Sequence, residues 1–433
     1  MTVTPIAFAD PPLRSSYGLH APYALRSIIE LRSEDGIVGI AETHGGEQAL
    51  AGFEGIRETV VGSDAYDLTG LSQRVGRKLA GLVPLSINGP VDRSQTYHVP
   101  GENRHDAELR IYAALEVAAL DLIGKSIGRP MCDLLGGRVR DSIPFSAYLF
   151  YKHAGGGGEG SDARDDRFGE CMAPGDIVEQ ARTLTKLHGF RTYKLKAGVL
   201  PPDIEIETIL QLRDAFPRAP LRIDPNAAWS IPTALQVAGR LAGILEYLED
   251  PVPGIPGMGS LQSEMRAANC SIPLASNVAI TSFADIPAAL QCDAAQIILG
   301  DHHYWGGPRA ITQLGRICQT FGLGLSMHSN SHLGVSLLAM AHTAAATPQL
   351  TYACDTHYPW QSADDEIIVG GRVPIVDGAV RVPDAPGIGA TLDYDQLARA
   401  RERYEKTPYR RRNDADEMRK HVDPQWERIV PAW

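Results

Sequence analysis

The order of apolar and polar positions between residues 190 and 357 is regular. Six apolar runs each end in carboxylate, amide or basic side chains, and these ends recur about every 24 to 30 residues. That interval is close to the length of one strand plus one helix, so the pattern predicts successive parallel βα units. In chain order the polar ends contain Lys194 and Lys196, Asp224 and Asn226, Glu249 and Asp250, Asn277, Asp301, and His328 and Asn330, and Asp355 and His357 close the series. Ionisable side chains are therefore expected at successive strand ends.

The first part of the chain has a different pattern. Residues 24–31 and 37–41 are apolar β-forming runs, and they flank residues 33–36, whose Asp-Gly step is a strong hairpin signal. Residues 108–123 are rich in Ala and Leu and carry apolar side chains at helical spacing. We expect an antiparallel sheet followed by helices, which is an α+β module.

Length and the change of pattern together predict the domain organisation. A chain of 433 residues fits a barrel of about 200 to 250 residues plus a second module. From residue 143 onward, short β-rich runs alternate with helical segments such as 176–188 and 202–216. The predicted fold class is α/β, a modified (β/α)8 TIM-type barrel with an N-terminal α+β capping domain. The predicted ranges are 1–140 for the capping domain, 141–357 for the catalytic barrel, and 358–433 for a C-terminal segment that returns to the capping domain.

Composition and charge narrow the class of partner. Apolar residues at 44% and charged residues at 21% are ordinary for a globular protein with a sizeable core. A net charge of -11 argues against nucleic acid and membrane surfaces, because both are polyanionic. Six scattered cysteines without a C-x-x-C pair indicate free thiols in a reducing compartment. No signal-peptide h-region and no apolar run of membrane-spanning length is present, so a cytoplasmic location is expected.

Three of the polar strand ends have the chemistry of metal ligands. In a barrel the carboxyl ends of all strands point at one mouth, so residues distant in sequence converge there. A hard cation such as Mg2+ takes a few oxygen ligands and keeps positions open for substrate. Asp224, Glu249 and Asn277, on three successive strand ends, could supply these oxygens.

The remaining strand ends have the chemistry of acids and bases. Lys194 and Lys196 occupy alternate positions of one strand and therefore point to the same face. Their mutual repulsion and a nearby metal are expected to depress their pKa, which would let one of them act as a base. Asp301 could hydrogen-bond His328 and fix the tautomer of its imidazole. His302, His303, His332 and His342 are interpreted as packing or helix-start residues.

These residues resemble the enolase superfamily, its mandelate racemase subgroup, and within that subgroup the glucarate dehydratase family, over nearly the whole chain. Lys194-Leu195-Lys196 is similar to the family's Lys-x-Lys base motif, and the stretches beginning at Asp224, Asn277, Asp301 and His328 are similar to family stretches. The resemblance implies that Lys196 is a catalytic base, that Lys194 polarises the substrate carboxylate, and that Asp301 and His328 form the second catalytic pair. It also implies a set of residues in contact with an acid-sugar substrate: His20, Tyr148, Asn226, Asn330, His357 and Arg412.

The resemblance implies a Mg2+-dependent acid-sugar dehydratase of carbohydrate acid catabolism. Its reaction is abstraction of the proton α to a carboxylate, a metal-stabilised enediolate, and β-elimination of water to a keto-deoxy sugar acid. The expected partner is an aldarate or aldonate, in a homo-oligomer. One position departs from the family: the second metal ligand would fall at Ile255, which cannot ligate, so we assign that role to Glu249. The alternatives are a related aldonate dehydratase, a racemase or epimerase of the same superfamily, and a non-catalytic sugar-acid-binding barrel.

Overall fold

The computed structural model describes residues 1–80 and 104–433. The predicted capping range includes residues 81–103, which lie outside the described residues. The described strands, numbered in chain order, are β1 (Thr2–Ala9), β2 (Arg14–Ser15), β3 (Gly18–Leu19), β4 (Tyr23–Arg32), β5 (Val38–His44), β6 (Ser142–Phe150), β7 (Tyr193–Lys196), β8 (Leu221–Asp224), β9 (Leu245–Glu249), β10 (Leu274–Ser276), β11 (Ile297–Gly300), β12 (Gly324–Met327), β13 (Cys354–Thr356) and β14 (Ala379–Arg381).

The described helices lie in the cap, between successive barrel strands and after the barrel. They are α1 (Glu47–Val60), α2 (Leu68–Ala80), α3 (Arg104–Ile127), α4 (Met131–Leu134), α5 (Pro174–His188), α6 (Pro202–Ala215), α7 (Ile231–Arg240), α8 (Gly254–Ala267), α9 (Ile286–Cys292), α10 (Pro308–Phe321), α11 (Gly334–Ala345), α12 (Tyr394–Lys406) and α13 (Asp414–His421). Short 3-10 turns occur at Gly160–Asp162, Phe283–Asp285, Tyr358–Trp360 and Ala363–Asp365. Over residues 1–80 and 104–433, none of these helices has the length and apolar character needed to cross a membrane.

The N-terminal sheet is antiparallel, as the hairpin signal predicts. Strands β4 and β5 pair around a turn in which the Gly36 amide donates to the Ser33 carbonyl at 3.0 Å. Strand β1 pairs with β4 along its whole length, from Thr2 opposite Glu30 to Ala9 opposite Tyr23. Helix α3 packs across this sheet and places its apolar side chains in the same core. Sheet and helices together form the cap.

The barrel consists of the eight parallel strands β6 to β13, each in register with its neighbour along the path β12-β11-β10-β9-β8-β7-β6-β13. The circle is nearly closed, because β12 meets the segment before β13 through the Leu325–Leu350 bridge. The barrel strands are buried along almost their full length, which fits parallel strands that are covered by helices on their outer face. The predicted fold class, a modified barrel with an α+β cap, is confirmed.

Two hydrophobic cores meet at helix α11. The barrel core contains apolar side chains of β6 to β13 and of the helices that follow them. The cap core contains Ile6, Phe8 and Ile28 of the sheet, and also Val335 and Leu338 of α11. Every residue of α11 is buried, since one face of the helix covers the barrel and the other supports the cap. The helix therefore fixes the cap above the barrel mouth.

The segment after the barrel contacts both parts of the molecule. Strand β14 adds to β6 of the barrel in antiparallel register, whereas helix α12 packs on β1 of the cap. The last residues reach the barrel mouth, where the amides of Ala432 and Trp433 donate to the Ala228 carbonyl at 2.7 and 3.0 Å. The division into the ranges 1–140, 141–357 and 358–433 stays a prediction.

A glycine-rich connection between β6 and α5 packs against the cap. Gly157 has a φ of 84°, and a Cβ at this position would lie 2.4 Å from the Asp10 carbonyl oxygen. Only glycine fits there without strain. The neighbouring Gly158 amide donates to the Pro22 carbonyl at 2.8 Å. The connection thus holds the loop that carries His20 at the edge of the barrel mouth.

Candidate active site

The mouth of the barrel contains a cavity of about 460 Å³ between the strand ends and the cap. This volume suits a small organic ligand. Eight of the predicted site residues line the cavity: His20, Lys196, Asn226, Asn277, His328, Asn330, His357 and Arg412. The other five are buried behind the cavity wall: Asp224, Glu249, Asp301 and Tyr148 contact lining residues, and Lys194 contacts Asp224, Glu249 and Tyr148 in turn. All thirteen predicted site residues are therefore brought to one place.

The two lysines of β7 point into the barrel, as their alternate spacing predicts. Lys196 Nζ donates to Asp224 Oδ2 at 2.7 Å, and Lys194 Nζ lies 3.3 Å from the same oxygen. Lys194 Nζ also contacts Glu249 at 2.5 Å and Asp355 at 2.8 Å. The ring of Tyr148 covers both ammonium groups from one side, at 4.8 and 5.6 Å. Each lysine ammonium is thus in direct contact with carboxylates.

The expected depression of the lysine pKa is wrong for Lys194. Burial alone would lower the pKa of this ammonium, but the carboxylates of Asp355 and Glu249 raise it well above its usual range. The reason is the number of acidic partners, since three fully buried carboxylates surround the group. Lys194 is therefore a permanent cation in this arrangement, suited to pairing with an anion and unsuited to accepting a proton.

The two carboxylates Asp224 and Glu249 behind the lysines have pKa values shifted in opposite directions. Burial and the neighbouring Asp224 raise the pKa of Glu249 well above its usual range, even though Lys194 opposes them. Burial would also raise the pKa of Asp224, but Lys196 and Lys194 hold it below its usual value. The Asp224 and Glu249 side chains are fully buried and interact with each other. Two carboxylates in such contact favour either a shared proton or a bound cation.

Asn277 completes this group of oxygen ligands. In its favoured orientation the amide nitrogen lies 3.1 Å from Glu249 Oε1, and the amide oxygen accepts from His328 Nε2 at 3.1 Å. Rotation by 180° about the last side-chain bond exchanges the two atoms, so the oxygen can face Glu249 instead. Asp250, which follows Glu249, fixes this strand end by accepting from the amides of Asn277 and Val278 at 2.7 and 2.9 Å.

The residues present fit a hard divalent cation. Asp224, Glu249 and Asn277 lie at the ends of the adjacent strands β8, β9 and β10, and they supply two carboxylates and an amide in a buried position. Oxygen ligands of this kind are those that Mg2+ binds. Burial and the neighbouring Asp224 raise the pKa of Glu249, and a cation bound between the two carboxylates would oppose both effects. Ile255 lies in the first turn of α8, where it packs against the barrel core and does not line the cavity.

Asp301 and His328 lie on the side of the mouth away from Lys196. His328 Nδ1 lies 3.0 Å from Asp301 Oδ2, which places a proton on Nδ1, so the hydrogen bond from Nε2 to the Asn277 oxygen requires the ring that carries protons on both nitrogens. The pKa of Asp301 would be raised by burial, but His303 and His328 hold it well below its usual range. The imidazole Nε2 faces Asn277 and the cavity. Lys196 and His328 therefore flank the three candidate ligands.

The cap side of the cavity is built from residues that are far apart in the sequence. His20 Nδ1 lies 3.0 Å from Asp10 Oδ2, and His20 Nε2 accepts from Arg412 at 2.9 Å. Asp414 holds the same guanidinium at 2.7 Å through Nε, and half of the Arg412 side chain is exposed toward the cavity. This chain of contacts presents one cation opposite the lysines, as a site for anionic substrates requires.

Several polar atoms in or behind the cavity wall have no hydrogen-bond partner. Within residues 1–80 and 104–433, the buried Tyr148 hydroxyl, Asn226 Oδ1 and His357 Nδ1 have no hydrogen-bond partner. Such groups are costly to bury unless a ligand or water satisfies them. Asn330 is different, since its Nδ2 donates to the Tyr304 hydroxyl at 2.9 Å. The unpartnered atoms mark the part of the wall available to hydroxyl groups of a ligand.

Sequence reasoning missed three members of the site. Asp355 contacts Lys194, Asp10 orients His20, and Tyr304 holds Asn330. Asp355 lies in the last strand of the polar series, where the sequence placed it without a role. Nothing in the spacing of Asp10 or Tyr304 could have done so, because their roles depend on how the cap docks on the barrel.

The chain has clear relatives among known proteins. Residues 176–397 match the family described as "Enolase C-terminal domain-like". The chain is 43% identical over 435 residues to the "Probable glucarate dehydratase" of Streptomyces coelicolor A3(2), and the match covers 100% of this chain and 97% of that protein.

Solved structures agree in fold over the full length. An enolase from Pseudomonas fluorescens Pf0-1, crystallised with magnesium, potassium and tartrate, superposes with a TM-score of 0.93 at 45% identity and covers 100% of this chain and 98% of that one. An enolase from Thermobispora bispora DSM 43833, complexed with magnesium and formate, gives a TM-score of 0.91 at 46% identity, with coverage of 100% and 98%.

Proposed function

Since this chain belongs to the enolase superfamily, we propose that it is a Mg2+-dependent acid-sugar dehydratase of the glucarate dehydratase type. The observation that carries the proposal is the placement of Lys196 and His328 on two sides of the buried group Asp224, Glu249 and Asn277. A base, an acid and a cation-binding group around one small cavity are what removal of water from a hydroxy acid needs. The likeness to a probable glucarate dehydratase supports the choice of substrate class.

Lys196, Lys194 and His328 have different roles in the proposed reaction. Lys196, in the neutral form, removes the proton α to the substrate carboxylate at Nζ. Lys194, held as an ammonium by its carboxylates, pairs with the negative charge that develops on the carboxylate oxygens. His328 donates a proton from Nε2 to the β-hydroxyl as its C–O bond breaks, and water leaves. The resulting enol becomes the keto-deoxy acid. Bound Mg2+ would supply Lewis-acid stabilisation of the same developing charge, held by Asp224, Glu249 and Asn277.

The cap supplies recognition of the far end of the substrate. Arg412 offers a guanidinium to a second carboxylate or to hydroxyl groups, with His20 fixing its orientation. Asn226, Tyr148 and His357 offer their unpartnered polar atoms to hydroxyl groups between the two ends. The tartrate bound by the Pseudomonas fluorescens relative is a hydroxy diacid, which supports an aldarate substrate.

A racemase or epimerase of the same superfamily is the second candidate. The specific observation in its favour is the hydrogen-bonded pair Asp301–His328 on the side of the mouth away from Lys196, since two bases on two faces of one carbon can invert it. A related aldonate dehydratase would use the same residues on a monoacid, with Arg412 bound to hydroxyl groups. A non-catalytic binding barrel would hold the acid sugar without turnover.

One screen separates these functions. Aldarates and aldonates are incubated with the protein and Mg2+, keto-acid product is assayed, and substrate epimers are followed by NMR. We expect keto-acid formation that requires Mg2+ and is abolished in Lys196→Ala but not in Lys186→Ala, whose lysine is exposed on α5. Epimer formation without keto acid would favour the racemase. Binding without either product would favour the non-catalytic barrel.

A further inference from the structure

One carboxylate behind the cavity serves two imidazoles. Asp301 Oδ2 lies 3.0 Å from Nδ1 of His328, while Oδ1 accepts from the backbone amide of His303 at 2.8 Å and lies 2.9 Å from its Nδ1. All three side chains are buried. The orientation of Asp301 is therefore determined by His303 as much as by His328, because the carboxylate is hydrogen-bonded to both residues.

The far side of the His303 ring is held by the cap. Its Nε2 lies 3.1 Å from Ser336 Oγ, 3.4 Å from a guanidinium nitrogen of Arg26, and 3.2 Å from the Glu42 carbonyl oxygen. The short contact of Nδ1 with a carboxylate assigns the proton to Nδ1. Nε2 is then an acceptor for the Ser336 hydroxyl and the Arg26 guanidinium, and its contact with the Glu42 carbonyl oxygen is not a hydrogen bond. The ring thus transmits the position of the cap strands β4 and β5 to Asp301.

The partners of His303 are themselves fixed in place. Glu42 Oε1 accepts from Arg26 Nε at 3.1 Å and from the Leu333 amide at 2.9 Å, and Oε2 accepts from the Ser336 amide at 3.0 Å. Glu42 therefore closes the N-terminus of α11, the helix shared by both cores. Every step from the cap to Asp301 is a buried hydrogen bond.

The same cluster is close enough to hold a metal, but its hydrogen bonds favour a different role. Asp301, His302 and His303 place ligand atoms within 4.8 Å of one another. However, both oxygens of Asp301 and both ring nitrogens of His303 already have partners, and a cation would displace His328 from its anchor. The sequence-based interpretation of His303 as a packing residue is therefore incomplete, because both of its ring nitrogens have hydrogen-bond partners.

We propose that His303 is a positioning residue for His328: it orients Asp301, and through it the imidazole that acts on one face of the substrate. The inference rests on the proposed function, which assigns His328 to one face of the substrate α-carbon and Lys196 to the other face. Loss of the His303 donor should impair only the chemistry at the His328 face. A residue with a merely structural role would affect both faces equally.

Two conservative variants separate the donor from the rest of the ring. In His303→Asn the amide nitrogen can replace Nδ1, so the bond to Asp301 is kept. In His303→Gln the amide reaches the position of Nε2, so the bonds to Ser336 and Arg26 are replaced and the one to Asp301 is lost. His342→Gln, a buried histidine of α11 outside the cavity lining, is the matched control.

The readout is hydrogen exchange in D2O at the α-carbon of two acid sugars that are epimers at that carbon, followed by NMR. We expect His303→Gln to slow exchange at the His328 face at least tenfold and to change exchange at the Lys196 face less than twofold. His303→Asn and His342→Gln should stay within threefold of wild type at both faces. Equal losses at both faces in His303→Gln, or equal losses in the Asn and Gln variants, would overturn the proposal.

A second measurement does not depend on turnover. Spectra of protein labelled with 15N-histidine, recorded without substrate, report whether the His328 Nδ1 proton stays hydrogen-bonded to a carboxylate. We expect this signal in wild type and His303→Asn and its loss or shift in His303→Gln. An unchanged His328 signal in His303→Gln contradicts the positioning role. If wild type exchanges neither epimer, the proposed function fails, while the spectra still decide the role of His303.

Discussion

Removal of the Lys194 ammonium should make the stability of the fold depend on Mg2+. The Lys194→Met variant keeps the volume of the side chain but leaves Asp224, Glu249 and Asp355, all fully buried, without the cation that now lies 3.3, 2.5 and 2.8 Å away. Removing one partner of a buried ion pair costs about 3 to 5 kcal/mol, because the remaining charge is left without compensation.

The size of the effect on the melting temperature follows from the chain length. With about 2.1 cal/mol/K per residue, the 433 residues have an unfolding entropy of about 0.9 kcal/mol/K. A loss of about 3 to 5 kcal/mol then lowers Tm by about 3 to 5 °C in EDTA. Mg2+ at about 100 times its Kd adds about 2.7 kcal/mol, or about 3 °C, to any form with an intact site, wild type included, so the loss in Lys194→Met shrinks only if the variant binds Mg2+ more tightly than wild type does.

The assay is differential scanning calorimetry of wild type and variant, each in EDTA and in Mg2+. The matched control is Lys125→Met, whose ammonium pairs with the buried Asp121 in the cap at 2.6 Å, away from the barrel mouth. Rescue is measured as the rise in Tm with Mg2+ beyond the rise that wild type shows: we expect it for Lys194→Met, whereas the deficit of Lys125→Met relative to wild type should be the same in EDTA and in Mg2+. Equal rescue of both variants, or no rescue of either, would refute the reasoning about the carboxylate cluster.

Three further outcomes are expected. Glu249→Gln should weaken Mg2+ binding, measured by calorimetric titration, at least about tenfold. Ile255→Ala should leave the affinity within about threefold of wild type. A larger loss in Ile255→Ala than in Glu249→Gln would remove Glu249 from the ligand set. Arg412→Gln should raise KM for an aldarate about 10- to 100-fold, because a charged hydrogen bond to the substrate is lost, and kcat should change much less. An unchanged KM argues against a role of Arg412 in substrate binding. Burial lowers the pKa of His342 to about 4, so folding excludes a proton that the unfolded chain binds below about pH 6.5. Stability from this group is present at higher pH and is lost as pH falls from about 6.5 to 4, by at most about 3 kcal/mol, and His342→Gln should show a correspondingly smaller acid loss in urea titrations.

The spacing of polar strand ends was sufficient to predict the barrel and most of its mouth. A strand of a parallel barrel ends at the mouth whatever its neighbours are, so Asp224, Glu249 and Asn277 could be placed together from their period alone. The alternation of Lys194 and Lys196 likewise fixed their common direction. These predictions depend on local structure and on one topological rule, which is why they hold.

The parts that the sequence could not predict depend on how separate elements dock. The pKa of Lys194 is raised because Asp355 arrives from the last barrel strand, and no local pattern counts such partners. His303 resembles any buried histidine until α11 places Ser336, and the cap strands place Arg26 and Glu42, around its ring. The cap residue His20 and the C-terminal Arg412 meet only in the folded chain.

The most direct test of the proposed chemistry is α-hydrogen exchange and keto-acid formation, measured together by NMR in D2O with an accepted acid sugar and Mg2+. The proposed function predicts that wild type and Lys186→Ala give both signals. It predicts that Lys196→Ala, with its fold and Mg2+ affinity shown to be intact, gives neither signal with the substrate whose α-proton faces Lys196. A Lys196→Ala protein that forms keto acid from this substrate at the wild-type rate would contradict it.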